Sequence, residues 1–280
     1  MKKIYSNEII ERMSEKLIEI NYKLPDEIKK YIEDAYFVEK EKYSKKYLKI
    51  ILENLKYAEK NKIPICQDTG LTIVFVELGG EVNIELGNYK NLVEVISEGV
   101  KIGSQKGFLR KSVVDPITRK NTETNTPPII HFLISEFKEK FKITLISKGF
   151  GSENASRIKM LNPTEGKEGI ENFIIQTVKE SGSLPCPPLF IGVGIGGSFE
   201  KSAILSKYAL TKIGNENSEY RKWEKKIVEK INKLGIGPGG FGGKITCFDL
   251  KIESYPTHIA GLPVAINICC WAHRVGSFEL

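Results

Sequence analysis

The run Pro64-Ile65-Cys66-Gln67-Asp68-Thr69-Gly70 constrains this chain more than any other stretch. Before it, Tyr47, Leu48, Ile51, Leu52 and Leu55 recur at helical spacing in a Lys-rich segment. After it comes the β-branched run Leu71-Thr72-Ile73-Val74-Phe75-Val76. Pro64 cannot continue a helix, because its ring removes a backbone donor and clashes with the preceding turn. Gly70 accepts backbone angles that other residues avoid. Together they predict a short helix-to-strand loop presenting a thiol, an amide, a carboxylate and a hydroxyl at four successive positions. Taken alone, Cys66 reads as a small buried apolar residue more often than as a functional one.

The remaining pattern is mixed α/β (α+β), with a helical N-terminal part packed on mixed sheets. Met1 to Glu8 lead into an amphipathic helix carrying Ile9, Ile10, Met13, Leu17 and Ile18, and Pro25-Asp26-Glu27 opens a second helix with acids in its first turn. Beyond the loop, short strands broken at Gly79-Gly80 precede a helix through Leu92, Val95, Ile96 and Val100. Apolar strands are predicted over 129–134 and 141–147. Lys148 to Ala155 reads as a turn opening a helix, 189–193 as a strand, 199–210 and 218–234 as helices. Gly235 to Gly243 has the most flexible composition in the chain. One catalytic domain over residues 1–280 is expected, helical in 1–61 and α/β in 62–280.

A chain of 280 residues with 41% apolar and 28% charged residues reads as soluble and globular. No apolar run approaches the roughly 20 residues that cross a bilayer, and the N-terminus has no apolar signal region, so a cytoplasmic protein is expected. The net charge of +7 comes from lysines mixed with glutamates on helical faces, without the basic tracts and interleaved aromatics of nucleic-acid binders.

Two glycine motifs invite a nucleotide reading. Gly192-Val193-Gly194-Ile195-Gly196-Gly197 fits G-x-G-x-x-G between a strand and a helix, but the region about 20 residues on lacks a second strand ending in an acid. Gly242-Gly243-Lys244 is no P-loop, because Pro238 stands where the first glycine belongs and Ile245 where a hydroxyl would meet magnesium. The five cysteines, Cys66, Cys186, Cys247, Cys269 and Cys270, show no C-x₂₋₄-C pair of the kind zinc uses. Cys269 and Cys270 are neighbours on a strand and point to opposite faces. Spacing leaves two readings open: packing cysteines, or three remote thiols around a metal cluster.

Several motifs, taken together, resemble the iron–sulfur hydro-lyases, the group of class I fumarate hydratase and L-tartrate dehydratase. They are the Pro64–Gly70 run, Asn125-Thr126-Pro127-Pro128, Lys148-Gly149-Phe150-Gly151-Ser152-Glu153-Asn154, Gly192 to Gly197, Gly235 to Gly243, and His258-Ile259-Ala260-Gly261-Leu262-Pro263. The likeness is to the N-terminal domain or α subunit and runs from about Asn7 to Arg274. It implies a [4Fe-4S] cluster held by Cys66, Cys186 and Cys270, with Cys247 and Cys269 outside the ligand set. It places Gln67, Asp68, Arg110 and Gly149 at a C4 dicarboxylate, with Asp68 and His258 as catalytic residues, and implies reversible hydration of fumarate to L-malate. The L-tartrate dehydratase α subunit and a structural or redox-sensing cluster subunit are the other readings. The fused members carry a second domain with the catalytic base. The chain is therefore expected to pair with a separate β subunit, as a dimer of αβ pairs, with the helical N-terminus or the Gly235–Gly243 turn in the contact.

Overall fold

Helical spacing and β-branched runs resolve into eight α-helices and ten strands in the structure, a computed structural model that describes residues 2–280. In chain order the first are β1 (Lys2–Tyr5), α1 (Ser6–Tyr22), α2 (Asp26–Val38), α3 (Lys42–Asn61), β2 (Leu71–Leu78) and β3 (Val82–Glu85). Next come α4 (Leu92–Lys106), β4 (Ile129–Ile134), β5 (Phe141–Lys148), α5 (Phe150–Glu153), β6 (Arg157–Leu161) and α6 (Gly166–Ser181). The chain ends with β7 (Leu189–Gly196), α7 (Phe199–Leu210), α8 (Arg221–Asn232), β8 (Cys247–Tyr255), β9 (Leu262–Cys269) and β10 (Val275–Glu279). The class is α/β, as the patterning predicts. Two compact units share these elements: Met1–Pro25, Asn54–Gly149 and Arg274–Leu280 form one, Asp26–Glu53 and Phe150–His273 the other. Among the described residues no helix is long and apolar enough to cross a membrane.

In the first unit a four-stranded sheet runs β10-β5-β2-β4, with β2 parallel to β4 and antiparallel to β5. The β-branched run predicted to be a strand is one of its two central strands. Val74 and Val76 of β2 and Ile143 and Leu145 of β5 pack with Ile9, Met13 and Leu17 of α1 and with Val95, Ile96 and Val100 of α4. Each such fully buried side chain contributes about 1.5–3 kcal/mol. The two helices approach closely because α4 carries glycines at the contact: a Cβ on Gly99 would lie 2.7 Å from the Met13 Cβ. The N-terminus departs from the sequence reading. Residues 2–5 form a strand parallel to β3 before α1 begins, where the Tyr5 N–H donates to Glu8 at 3.0 Å.

In the second unit the sheet runs β6-β9-β7-β8, with β7 parallel to β8 and antiparallel to β9. Its core joins Ile191 and Val193 of β7 with Ile174 and Val178 of α6, Ile227 and Ile231 of α8, and Val264, Ile266 and Ile268 of β9. Gly192, Gly194 and Gly196 of the glycine pattern lie inside β7, which runs past residue 193 to Gly196. A Cβ would sit 2.1 Å from the Ser206 carbonyl oxygen at Gly192 and 2.0 Å from that of Ser202 at Gly194. These glycines let α7 lie directly on the strand, which accounts for the motif without a nucleotide. The helix expected after Lys148 is only the short α5, and β6 follows. The Gly235–Gly243 segment is tied down within this unit. Ser44 Oγ donates to the Gly242 carbonyl at 2.5 Å, and the Glu39 carboxylate accepts from the Lys244 N–H at 2.8 Å. Burial pushes the Glu39 carboxyl up, but backbone N–H donation from Glu41, Lys244 and Lys40 outweighs this and holds it below the usual range.

Candidate active site

Within the first unit, antiparallel pairing creates a cluster that spacing alone does not reveal. Leu71, where β2 starts, is opposite Lys148, where β5 ends. The 62–70 loop and the Lys148-Gly149 segment therefore meet at one end of the sheet. Gly70 has φ +75° and packs so closely that a Cβ would lie 2.7 Å from the Lys148 carbonyl carbon, so only glycine fits. Asp68 closes the loop on itself, its Oδ1 accepting from the Gly70 N–H at 3.0 Å. Its Oδ2 lies 3.0 Å from the point a Cβ on Gly149 would occupy, so the absence of a side chain at 149 makes room for the carboxylate.

Arg110 joins this group through its backbone. Its carbonyl accepts from Thr69 Oγ1 at 3.0 Å and from Asn125 Nδ2 at 3.1 Å. Asn125 Oδ1 accepts in turn from the Ser112 N–H at 2.7 Å, so the Asn125 segment sets the course of the chain around Arg110. Gln67 and the Arg110 side chain are exposed, Cys66 and Asp68 are half-buried, and Gly149 is buried. The structure thus brings Cys66, Gln67, Asp68, Arg110 and Gly149 into one region of one unit.

Cys186 and Cys270 belong to the second unit. Cys186 is exposed, with φ +55°, just before β7, and its N–H donates to the Ser183 carbonyl at 3.1 Å. Cys270 follows β9 and is half-buried. Phe190 pairs with Cys269, so the start of β7 and the end of β9 coincide and both thiols lie at the same end of this sheet. The two remaining cysteines differ in kind. Cys247 is buried, its thiol is pushed well above the usual range by burial, and it donates to the Asp249 carbonyl at 3.4 Å. Buried Cys269 lies 3.4 Å from His273 Nδ1, while His273 Nε2 lies 2.9 Å from the Leu210 carbonyl. Because a carbonyl only accepts, Nε2 carries the proton and the Cys269 thiol donates to Nδ1.

His258 is placed elsewhere in the second unit. It sits on the exposed loop between β8 and β9, where Gly196 pairs with Tyr255 at the far end of the sheet. The eight residues of β9 separate it from Cys270 by about 25 Å of extended chain. The structure does not bring these two together within the unit. His258 Nδ1 accepts from the Ala260 N–H at 3.2 Å, and the ring borders a cleft of about 530 Å³ lined by Trp223, Ile195 and Leu262.

Sequence reasoning missed Asn21, Ser147, Lys148 and Arg274, which surround the Gly149 backbone. Asn21 Nδ2 donates to Ser147 Oγ at 2.9 Å, Lys148 Nζ donates to the Gly149 carbonyl at 3.2 Å, and Arg274 Nη1 donates to Asn21 Oδ1 at 3.0 Å. The available signal was a charged residue beside each of two strands, Lys148 at the end of β5 and Arg274 just before β10.

Comparison with known proteins agrees with this arrangement of motifs. The family model described as fumarate hydratase (Fumerase) matches residues 10–279. A protein of Methanocaldococcus jannaschii provisionally named L(+)-tartrate dehydratase subunit alpha is 45% identical over 258 residues, covering 90% of this chain and 90% of its own length. The L(+)-tartrate dehydratase subunit alpha of Escherichia coli K12 is 30% identical over 264 residues, covering 92% of this chain and 86% of its own. The Shigella boydii protein of the same name is also 30% identical over 264 residues. With its motifs matched along nearly their whole length, the chain belongs to the fumarate hydratase family and is a hydro-lyase.

Proposed function

We propose that this chain is the α subunit of a [4Fe-4S]-dependent L(+)-tartrate dehydratase. The observation that carries the reading is its likeness, over most of both chains, to relatives named as tartrate dehydratase α subunits. Hydration of fumarate to L-malate is the second reading, favoured by the family description. In the dehydration direction both reactions take a C4 dicarboxylate, L-tartrate or L-malate, whose hydroxyl-bearing carbon neighbours a carbon that gives up a proton. The two substrates differ by one hydroxyl group.

By the likeness of their motifs to the family's, Cys66, Cys186 and Cys270 would hold the cluster. Accessibility supports this set, because these three thiols are the exposed or half-buried ones, while Cys247 and Cys269 are buried and hydrogen-bonded. When bound, the cluster supplies a Lewis-acidic iron without a cysteine ligand, suited to polarising a substrate hydroxyl. The protein's own groups bind and orient. The exposed Arg110 guanidinium offers a two-pronged clamp for a carboxylate, and the exposed Gln67 amide offers a second donor. Asp68, fixed by its bond to the Gly70 N–H, presents its other oxygen beside Gly149, where the missing side chain leaves room for that carboxylate. His258 takes the role of orienting the leaving hydroxyl. Its distance from Cys270 along its own sheet requires that it act on a site outside that end of the sheet, such as one in another copy of the assembly.

The base and further cationic contacts come from a separate β subunit in this reading, with two αβ pairs in the assembly. The test is to assemble the chain with a β subunit under anaerobic conditions and assay L-tartrate dehydration to oxaloacetate beside malate dehydration to fumarate. A kcat/KM for tartrate at least tenfold above that for malate is expected. The reverse order establishes the fumarate reading, and activity on neither overturns both. Arg110→Ala in the same assembly should keep its iron and sulfide while kcat/KM falls about ten- to a hundredfold, the loss of a hydrogen bond to a charged group of about 1.5–3 kcal/mol. An unchanged kcat/KM would return Arg110 to the surface.

A further inference from the structure

Arg274, just before β10, is the largest fully buried side chain among the described residues, with 1% of its surface exposed. One end of its guanidinium is clamped. Nη1 donates to Asn21 Oδ1 at 3.0 Å, and Asn21 is itself fixed by donation to the Leu17 carbonyl and to Ser147 Oγ, each at 2.9 Å. The Arg274 carbonyl accepts from the Ser147 N–H at 3.0 Å, so backbone and side chain are anchored on the same strand. Nε is buried and has no hydrogen-bond partner. At the other end Nη2 lies 3.4 Å from the point a Cβ on Gly149 would occupy, and Asp68 Oδ2 lies 3.0 Å from that same point.

A buried guanidinium with an unsatisfied N–H is costly, and an apolar side chain of similar volume would serve stability as well or better. Groups left unsatisfied in a native fold call for a reason other than packing. Here the reason on hand is position. Arg274 Nη2 and Asp68 Oδ2 both border the space beside Gly149, the one residue there that has no side chain, and the guanidinium is held at Nη1 by Asn21. We infer that Arg274 is a positioning residue for turnover: it holds the Asp68 carboxylate in place across Gly149, with Asn21 as the clamp. This rests on the reading that Asp68 takes part in the reaction. Arg274 itself, buried beneath Gly149, does not meet substrate.

The experiment is a double-mutant cycle in the anaerobically assembled αβ enzyme, using Asp68→Asn, Arg274→Met, the double variant and Arg274→Lys. Iron and sulfide content and the thermal midpoint are measured for each. Arg274→Met is expected to lower kcat about ten- to a hundredfold with KM within about twofold, at wild-type iron and sulfide content. Arg274→Lys, which restores the charge, should recover most of that loss. In the Asp68→Asn background Arg274→Met should cost less than about threefold, because the group it acts through is already gone. A purely structural role predicts instead the same loss in both backgrounds, no rescue by lysine and a lower thermal midpoint, and that pattern overturns the inference. If Arg274→Met does not fold, Arg274→Lys carries the test: a several-fold kcat loss that disappears beside Asp68→Asn supports the role, and an equal loss in both backgrounds overturns it. Full activity of Asp68→Asn would remove the underlying reading as well. An impaired Asp68→Asn with wild-type Arg274→Met kinetics would remove this inference alone.

Discussion

Serine at Cys66, Cys186 or Cys270 will leave the anaerobically assembled enzyme without acid-labile sulfide and without measurable turnover. Serine at Cys247 or Cys269 will leave both in place. Thiolates are the ligands that iron–sulfur clusters take, and a hydroxyl at the same position is a far poorer one. The three proposed ligands are accessible, whereas Cys247 and Cys269 are buried and donate their protons to the Asp249 carbonyl and to His273. A serine hydroxyl donates in the same way, so these two substitutions should cost little more than a small change in packing. Protein prepared without oxygen should be brown, with about four irons and four sulfides per site. Air should abolish activity before the fold fails. Stoichiometric zinc without sulfide would overturn the cluster, and loss of sulfide in Cys247→Ser would overturn the ligand set.

The second large effect concerns what the chain can do by itself. Reconstituted with iron and sulfide but without a β subunit, it should show no turnover of tartrate or malate above background, and adding the partner should restore activity. Proton abstraction needs a base within hydrogen-bond reach of the carbon that loses the proton. In this chain the accessible carboxylate beside the proposed substrate contacts is Asp68, and one of its oxygens is already occupied by the Gly70 N–H. The relatives matched along most of their length are named as α subunits, which is the reason to look for the base on another chain. Full turnover by the isolated chain would refute the split site and point to Asp68 as the base.

How much of this was legible in sequence follows from the range of the interactions involved. The helix ending before Pro64, the loop through Asp68 and the strand from Leu71 are local events, written in helical spacing, a proline, a glycine and a β-branched run. The same locality explains the errors. The pattern at Gly192 to Gly196 is identical whether the glycines turn around a phosphate or lie beneath a helix, and only α7, packed against β7, decides which. Residues 2–5 carry no strong local signal, and their strand exists because β3, some 80 residues on, offers it an edge.

The sequence by itself determined the α/β class, the loop chemistry of Cys66 to Thr69 and, through its matching motifs, the family. Tertiary structure alone decided which side chains meet. The pairing of Leu71 with Lys148 brings Asp68 to Gly149, and Arg274 reaches Gly149 only because β10 lies against β5. It also separated the accessible thiols from the buried ones and set His258 at the opposite end of its sheet from Cys270. The physical reason is that strand register and burial depend on partners far away in the chain, and no window of neighbouring residues contains them.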